Sequence, residues 1–193
     1  MKKLVEIAGI DGAGKTTLAL SLQKELEKRG VRAEYASFLQ GSDPFIEEVK
    51  KLSKTLPAPE RERLLGELYS FRFVSRTLKG LEDASADFIF VDRYLSSHLV
   101  SQQVFGVHLK HLDPLFQALP RPSMTLFLDL PVSAALQRLC LRGTLKSHET
   151  PEYLQKAKEI YTETAMRKKW IVLNALLSAE ELTKKALDAI YFY

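Results

Sequence analysis

GIDGAGKT, at positions Gly9 to Thr16, matches the pattern G-x-x-x-x-G-K-[S/T] at every fixed position. An apolar, β-prone run enters this stretch and a helical pattern leaves it, which is the context that a phosphate-binding loop (P-loop) requires. Glycines allow consecutive backbone N–H groups to point at phosphate oxygens, and the following helix adds its positive N-terminal end. A glycine-rich turn alone would not explain Lys15 and Thr16, which suit the β- and γ-phosphates and Mg²⁺. The stretch therefore predicts binding of a nucleoside triphosphate.

The rest of the chain alternates between helical and strand patterns. A helix is predicted from Thr17 to Arg29, with Gly30 as its stop, and others from Pro44 and from about Ala179. In a long helix from Pro59 to about Asp83, apolar residues that include Phe71 and Leu78 are expected to face inward. Short apolar runs predict strands at Leu4–Ala8, Val31–Ser37, Phe88–Val91, Met124–Leu128 and Trp170–Leu173.

Five strands separated by helices predict an α/β fold, a three-layer α/β/α P-loop NTPase fold with a five-stranded parallel sheet. The length of 193 residues suits a single domain over 1–193, and the segment 142–150, which is poor in apolar pattern, is predicted to form a lid. Hydrophobic residues make up 46% of the chain and charged residues 27%, which argues against disorder.

Charge and cysteine content narrow the class of protein further. The net charge of +4 comes without a dense Lys/Arg block, so we expect an anionic small ligand and no nucleic-acid partner. Cys140 stands alone in the sequence and is predicted to be a buried thiol. No apolar run approaches ~18 residues and the N-terminus lacks a signal-peptide pattern, so a cytoplasmic protein without membrane contact is expected.

A second candidate site is Asp92-Arg93-Tyr94, which follows the buried strand Phe88–Val91. Ligands of open parallel sheets bind beyond the carboxyl ends of the strands, so this tripeptide is expected near the P-loop. An acid at that place suits Mg²⁺ or its water shell, and the adjacent arginine suits an anionic oxygen. A polar loop start with an N-capping Asp is the plainer interpretation, which the neighbouring P-loop makes less favourable.

These pieces together resemble the thymidylate kinase family of nucleoside monophosphate kinases over nearly the full chain. The P-loop is close to the family's form, including Asp11. Asp92-Arg93-Tyr94 with Ser97 and Gln102 matches the pattern D-R-Y-x-x-S-x-x-x-x-Q. Leu126–Pro131, followed by Arg138, Arg142 and Gly143, resembles the strand and helix that lead into the lid, and Val172–Ala175 resembles the last strand. Arg72 stands where that family places the arginine that binds the base.

The resemblance implies transfer of the γ-phosphoryl group of ATP to a nucleoside monophosphate, with thymidylate (dTMP) the leading acceptor, Mg²⁺ required, and a homodimer formed through helices, including the stretch Leu95–Phe105. Lys15, Asp92, Arg93 and Arg142 would be catalytic, and Thr16 with Asp92 would serve the metal. Acceptor contacts would come from Asp11, Phe38, Arg72, Arg93, Ser97, Ser101 and Gln102. Donor contacts would come from Gly9, Ile10, Asp11, Gly12, Ala13, Gly14, Lys15, Thr16, Thr17 and Arg138.

The chain departs from the family pattern at arginines. The family's F-P-x-R segment corresponds here to Phe38–Gly41, without arginine, and the loop position where some members carry a basic residue is Ala13. The lid pattern D-R-x-E aligns with Lys146–Glu149, where Ser147 replaces the arginine and leaves Arg142 and Lys146 as the local cations. Lysine is a point charge and not a planar fork, so slow turnover of thymidylate is one expectation.

Other interpretations of the protein's function stay open from the sequence. A kinase of the same fold acting on another nucleotide or nucleoside is one alternative, and an ATP-binding regulatory homologue with weak catalysis is another. Ser101 replaces a tyrosine that in the family discourages a ribose 2′-hydroxyl, so relaxed sugar discrimination is expected. The histidines, including His98 and His148, have no zinc-site spacing and are expected to be structural or solvated.

Overall fold

The protein was analysed as a computed structural model, which describes residues 2–38, 43–143, 145–146 and 149–192. Within these ranges the strands are β1 (Lys3–Ala8), β2 (Ala33–Ala36), β3 (Phe88–Asp92), β4 (Met124–Asp129) and β5 (Ile171–Asn174). The helices are α1 (Lys15–Lys28), α2 (Pro44–Leu52), α3 (Ala58–Asp83), α4 (Leu95–Val104), α5 (Asp113–Phe116), α6 (Val132–Leu141), α7 (Pro151–Lys168) and α8 (Ala179–Phe192), with 3₁₀ turns at Ser53–Thr55 and Lys110–Leu112.

All five strands form one parallel sheet in the order β2-β3-β1-β4-β5, which confirms the predicted α/β fold. The first strand is central, so the chain must cross it to pass from β3 to β4. Ligands bind at such a switch point, outside the carboxyl ends of the strands. Ile7 pairs with Asp92 in the register of β1 and β3, and this register brings the end of β3 beside the P-loop.

The central strands are buried on both faces because helices cover both sides of the sheet. Residues Leu4–Ala8 of β1 are all buried, although successive side chains in a strand point to opposite faces. Val5 and Ile7 belong to a core cluster that includes Leu22 of α1. Leu4 belongs to a second cluster that includes Phe73 of α3. The sheet is therefore fixed from both sides, which gives the strand ends a rigid support.

Several burial predictions were wrong. Val172 belongs to an apolar run of the kind typical of strands buried on both faces, but it is 55% exposed because β5 is an edge strand with a neighbouring strand on one side only. Phe71 and Leu78 face outward and are 54% and 39% exposed, because α3 turns Phe73 and Val74 toward the sheet instead. Cys140 is exposed near the end of α6, whose buried face carries Ala135 and Leu139. Among the described residues, no helix has both the length and the apolar character needed to cross a membrane.

Candidate phosphoryl-transfer site

The P-loop requires glycine for two different reasons. Gly9, Gly12 and Gly14 all have positive φ, at 145°, 83° and 93°, a region that side chains with a Cβ rarely adopt. The loop also lies close to its neighbours: a Cβ at Gly9 would come within 2.9 Å of the Leu128 carbonyl oxygen, and one at Gly12 within 2.8 Å of the Ala135 carbonyl oxygen. Glycines thus let the loop curl tightly against β4 and α6.

Lys15 is the first residue of α1, and its side chain is only 5% exposed. Its ammonium group donates a hydrogen bond to the Ile10 carbonyl at 2.9 Å and lies 3.9 Å from a carboxylate oxygen of Asp11. Burial and the nearby Arg93 charge lower the pKa of Lys15 to about 8, although Asp11 and Asp92 act in the opposite direction. A bound triphosphate would supply the negative charge that keeps this ammonium protonated.

Thr16 and Asp92 form the polar pair expected at the ends of β1 and β3. The threonine hydroxyl donates to Asp92 Oδ2 at 2.6 Å, and Asp92 is 2% exposed. The other carboxylate oxygen, Oδ1, is buried and has no hydrogen-bond partner among the described residues. A buried carboxylate oxygen without a donor is costly, and a hydrated divalent cation would satisfy it. The donor set therefore fits Mg²⁺.

Arg93 turns its guanidinium back over the P-loop and pairs with Asp11. Its backbone has a φ of 67°, the left-handed region, which a residue with a Cβ occupies only when the surroundings enforce it. Burial would lower the pKa of Arg93, but the Asp11 and Asp92 carboxylates together raise it, so the group stays fully charged. Asp11 of the P-loop and the adjacent residues Asp92 and Arg93, predicted from two separate motifs, therefore form one charge cluster.

A cavity of about 490 Å³ opens over this cluster. Its polar lining includes four further basic side chains besides Lys15, namely Arg93, Arg138, Arg142 and Lys146. Arg138 donates to the Ala175 carbonyl at 2.8 Å, which fixes its position beside the apolar wall formed by Ala175, Leu177 and Leu182. The cavity thus combines cations and loop amides at one end with an apolar surface at the other, as a nucleotide requires.

The predicted lid is described only in part, because Thr144, Ser147 and His148 lie outside the described residues. Arg142 donates to the fully buried carboxylate of Glu149 at 2.6 Å, and the backbone N–H of Lys146 donates to the same oxygen at 2.8 Å. Lys146 lies close enough to Lys15 for its charge to help lower the pKa of that ammonium. Glu149 therefore holds Arg142, and the side chains of Arg142 and Lys146 both line the cavity.

Two of the predicted acceptor residues, Asp11 and Arg93, line this cavity, whereas those on α3 and α4 do not. Arg72 of α3 is 11% exposed, and its Nε lies 3.5 Å from an oxygen of Asp43, the N-cap residue of α2. Phe38 and Gln102 both pack closely against glycines of α3. A Cβ at Gly80 would lie 2.4 Å from the Phe38 ring, and a Cβ at Gly66 would lie 2.6 Å from the Gln102 side chain. Gly41 of the family's arginine segment lies outside the described residues.

The structure adds two tyrosines of α7 that the sequence patterns did not single out. Tyr161 donates to Ser97 Oγ at 3.0 Å in the interior, and Tyr153 donates to Ser101 Oγ at 3.2 Å. Asp11 and Arg93 both influence the pKa of Tyr153, which burial raises, so this phenol lies near the P-loop charges. Neither tyrosine belongs to a local motif, and only the packing of α4 against α7 brings them to these serines.

Fold and site together define a P-loop phosphotransferase. The profile of the thymidylate kinase family matches residues 7–186. The chain is 34% identical over 190 residues to the probable thymidylate kinase of Metallosphaera sedula, covering 97% of this chain and 91% of the relative. It is 28% identical over 190 residues to that of Sulfurisphaera tokodaii (98% and 96%), and 33% identical over 186 residues to the thymidylate kinase of Xanthomonas oryzae pv. oryzae (95% and 80%). The chain belongs to the thymidylate kinase family.

Proposed function

We propose that this protein transfers the γ-phosphoryl group of ATP to thymidylate, yielding thymidine diphosphate and ADP. The observation that carries the proposal is the cluster at the ends of β1 and β3, where Thr16, Asp92, Arg93 and Asp11 meet beside Lys15. Phosphoryl transfer is accelerated mainly by alignment and by charge stabilisation, which such a cluster supplies. The relatives are named thymidylate kinases or probable thymidylate kinases, which supports thymidylate as the acceptor.

The donor end is built to hold a triphosphate. The P-loop, Gly9–Thr16, with the adjoining Thr17, would surround the phosphates with backbone N–H groups, and Lys15 would supply the positive charge. Arg138 and the apolar wall at Ala175 and Leu177 suit the adenine. Thr16 and Asp92 would hold Mg²⁺, which would supply charge neutralisation at the phosphates.

Arg93 connects the donor and acceptor ends. Its guanidinium is planar and permanently charged, so it can bind an oxygen of the acceptor phosphate while Asp11 holds it in place. The left-handed backbone at Arg93 aims the side chain at the P-loop and not along β3. In this arrangement Arg93 aligns the two phosphates, and Asp11 is a positioning residue that also lies near the acceptor sugar.

We assign the lid cation to Lys146 and give Arg142 a supporting role. Both side chains line the nucleotide cavity, but the Arg142 guanidinium is bound to the buried Glu149 carboxylate, whereas the Lys146 charge acts on Lys15. Glu149 thus anchors both the guanidinium and the Lys146 backbone. A lysine at this position provides charge without a two-pronged contact, so turnover is sustained but slower than with arginine.

The acceptor end is formed by α3, α4 and α7. Arg72 would recognise the base, with Phe38 and Gln102 supporting that pocket, while Ser97 and Ser101 lie along the wall between α4 and α7. The Tyr153 phenol lies against Ser101 and reoccupies the space that a serine leaves there. On the basis of this contact we propose, in place of the expectation from Ser101 alone, that Tyr153 restricts the acceptor to deoxyribose.

We also propose a homodimer, with the interface on α2 and α3. The Leu95–Phe105 stretch is largely used within the chain, because α4 packs against α7 and residues such as Val100 are buried. Exposed apolar side chains on α2, α3 and the turn between them are Phe45, Leu52, Leu56, Phe71 and Leu78. A Phe71→Glu variant should shift the mass measured by light scattering from dimer to monomer, whereas an unchanged mass would place the interface elsewhere.

The function is tested by ADP release with ATP and Mg²⁺ against dTMP, dUMP, UMP, dCMP and AMP. Thymidylate should give the highest kcat/KM, and omission of Mg²⁺ should abolish turnover. A higher kcat/KM with another monophosphate would reassign the acceptor. Tight ATP binding without transfer to any acceptor in the panel would favour a regulatory ATP-binding protein instead.

A further inference from the structure

A second cavity, of about 900 Å³, lies near the beginnings of β4 and β5, and shares no lining residue with the nucleotide cavity at the strand ends. Its walls come from the first turns of α4, the segment between α5 and β4, and the end of α7. Volumes of this order are typical of small-molecule sites. The phosphoryl-transfer reaction makes no use of this cavity.

Glu6 of β1 lies at the floor of this cavity and is 4% exposed. Its Oε1 accepts hydrogen bonds from the backbone N–H and the hydroxyl of Ser96, at the start of α4. Among the described residues, Oε2 accepts only one long bond, from the Thr125 hydroxyl at 3.4 Å. Burial raises the pKa of Glu6 despite these donors. The carboxylate can therefore accept further hydrogen bonds from a ligand.

The rim of the cavity is basic. Arg121, Lys168 and Lys169 are exposed and line it, and Asp113 is the acidic residue that lines it besides Glu6. None of the three cations has a carboxylate within salt-bridge distance in the described part of the chain. Lys168 also influences the Glu6 carboxylate electrostatically, so rim and floor belong to one site. This arrangement favours a ligand with hydrogen-bond donors at one end, facing Glu6, and an anionic group at the other, facing the basic rim.

The walls between floor and rim are aromatic and apolar. Tyr94, Leu99, Phe116 and Trp170 line the cavity. The Tyr94 hydroxyl donates to the Pro120 carbonyl at 2.8 Å, which fixes the ring in place, and Trp170 is half-buried beside Phe127. Flat apolar walls of this kind suit a heterocyclic base.

We propose that this cavity binds a guanine nucleotide, with the base at Glu6 and the phosphate at Arg121, Lys168 and Lys169. Guanine carries two adjacent donors, N1–H and the N2 amino group, which match the two oxygens of a carboxylate. Thymine presents carbonyl oxygens on both sides of its N–H and would be repelled by the same floor. Adenine and cytosine each offer one amino donor beside an acceptor. The site therefore discriminates against thymidylate.

The test is a calorimetric titration of GMP into protein whose phosphoryl-transfer site is filled with a bisubstrate analogue joining ATP and dTMP. One further equivalent of GMP should bind per chain. IMP, which lacks the N2 amino group, should bind about tenfold more weakly, as one lost hydrogen bond to a charged group predicts. No second equivalent at millimolar GMP, or equal affinity for GMP and IMP, would overturn the assignment.

Variants locate the site. The double variant Lys168→Ala, Lys169→Ala should weaken GMP at least about tenfold, whereas Lys185→Ala, an exposed lysine outside the cavity, should leave it unchanged. Inorganic phosphate that competes as well as GMP would show an adventitious anion site. Glu6→Gln should also weaken GMP, but because Glu6 holds the start of α4, its unfolding midpoint is measured alongside. Unchanged GMP affinity in the rim double variant contradicts the proposal irrespective of how Glu6→Gln folds.

Discussion

The donor end and the acceptor end of the site are built differently. The donor end uses Gly9–Thr16, a single continuous loop, and one acid from the neighbouring strand, Asp92. The proposed acceptor end is assembled from α3, α4 and α7, and its residues lie as far apart in sequence as Arg72 and Tyr153. A local motif is thus sufficient to define the first end, while the second depends on how helices pack.

This difference has a chemical basis. A triphosphate is recognised by backbone N–H groups and a few charges, which a short glycine-rich segment can provide by itself. A base and a sugar are recognised by shape and by individual hydrogen bonds, which require side chains from several directions. Substitutions at the donor end should therefore affect the chemical step, and those at the acceptor end should affect selection and stability.

The largest effect is expected at Asp92. The Asp92→Ala variant removes the buried carboxylate that bonds Thr16 and fits Mg²⁺, so kcat should fall by about 10³ or more, while ATP binding to the loop amides stays within about tenfold. Initial rates of ADP release and direct ATP titration measure the two quantities. Asp129→Ala, at the equivalent end of β4 and paired with Lys158, is the matched control. Equal losses of kcat in Asp92→Ala and Asp129→Ala would contradict the role given to the acid beside the P-loop.

A smaller effect is expected at Lys146. The Lys146→Ala variant should lower kcat by about 10² with little change in KM for dTMP, because the charge acts on the transferring group. Lys146→Arg should retain or exceed the original rate. Lys156→Ala, an exposed lysine on α7, is the control. A different outcome would make Arg142 the catalytic cation of the lid in place of Lys146. In that outcome Arg142→Ala loses turnover with an unchanged unfolding midpoint, and Lys146→Ala keeps its activity.

Sugar selection tests the acceptor end. Tyr153→Ala should raise kcat/KM for UMP relative to dUMP by about tenfold, because the phenol no longer fills the space beside Ser101. Tyr153→Phe keeps the ring and should keep most of the preference for deoxyribose. Steady-state rates with dUMP and UMP under identical ATP provide the ratio. A ratio that is the same in all three proteins would show that Tyr153 does not set sugar selection, and comparable kcat/KM values for UMP and dUMP in the original protein would restore the expectation drawn from Ser101.

The smallest effect concerns the joint between α3 and α4. His98 of α4 is 2% exposed, hydrogen-bonds Ser70 of α3 at 2.8 Å and stacks on Phe73. Burial lowers the pKa of His98 to about 4 from 6.5, so its contribution to stability is complete above pH 6.5 and is lost as the pH falls toward 4. The unfolding free energy should fall by about 1.4 kcal/mol from this group at pH 5.5.

Urea titrations of the original protein and of His98→Gln at pH 7.5 and 5.5 isolate the contribution of His98 to the unfolding free energy. Glutamine does not titrate, and the other groups contribute equally to both proteins. His108→Gln, at an exposed position, should retain the full pH dependence. An identical pH dependence of the unfolding free energy in the original protein and in His98→Gln would show that His98 does not make the packing of α3 against α4 sensitive to pH.

Particular residues show how far the sequence alone leads. The P-loop, the five strands and the proximity of Asp92 to Thr16 follow from periodicity and from the rule for ligands at strand ends, and the structure agrees. The exposure of Phe71 and Cys140 was missed because helical spacing alone does not say which side a neighbour covers. The contact between Tyr153 and Ser101 spans 52 residues, and no local pattern indicates it.

The sequence by itself determined the phosphate-binding loop, the parallel α/β fold and the acid at the end of β3. These features depend on short-range conformational preferences, such as positive φ at glycine, and on buried apolar runs. Only the tertiary structure decided that Glu149 binds Arg142 of the lid, that Tyr153 lies against Ser101, and that a second cavity lies around Glu6. These depend on distances between elements far apart in the chain, which packing of the helices on the sheet sets.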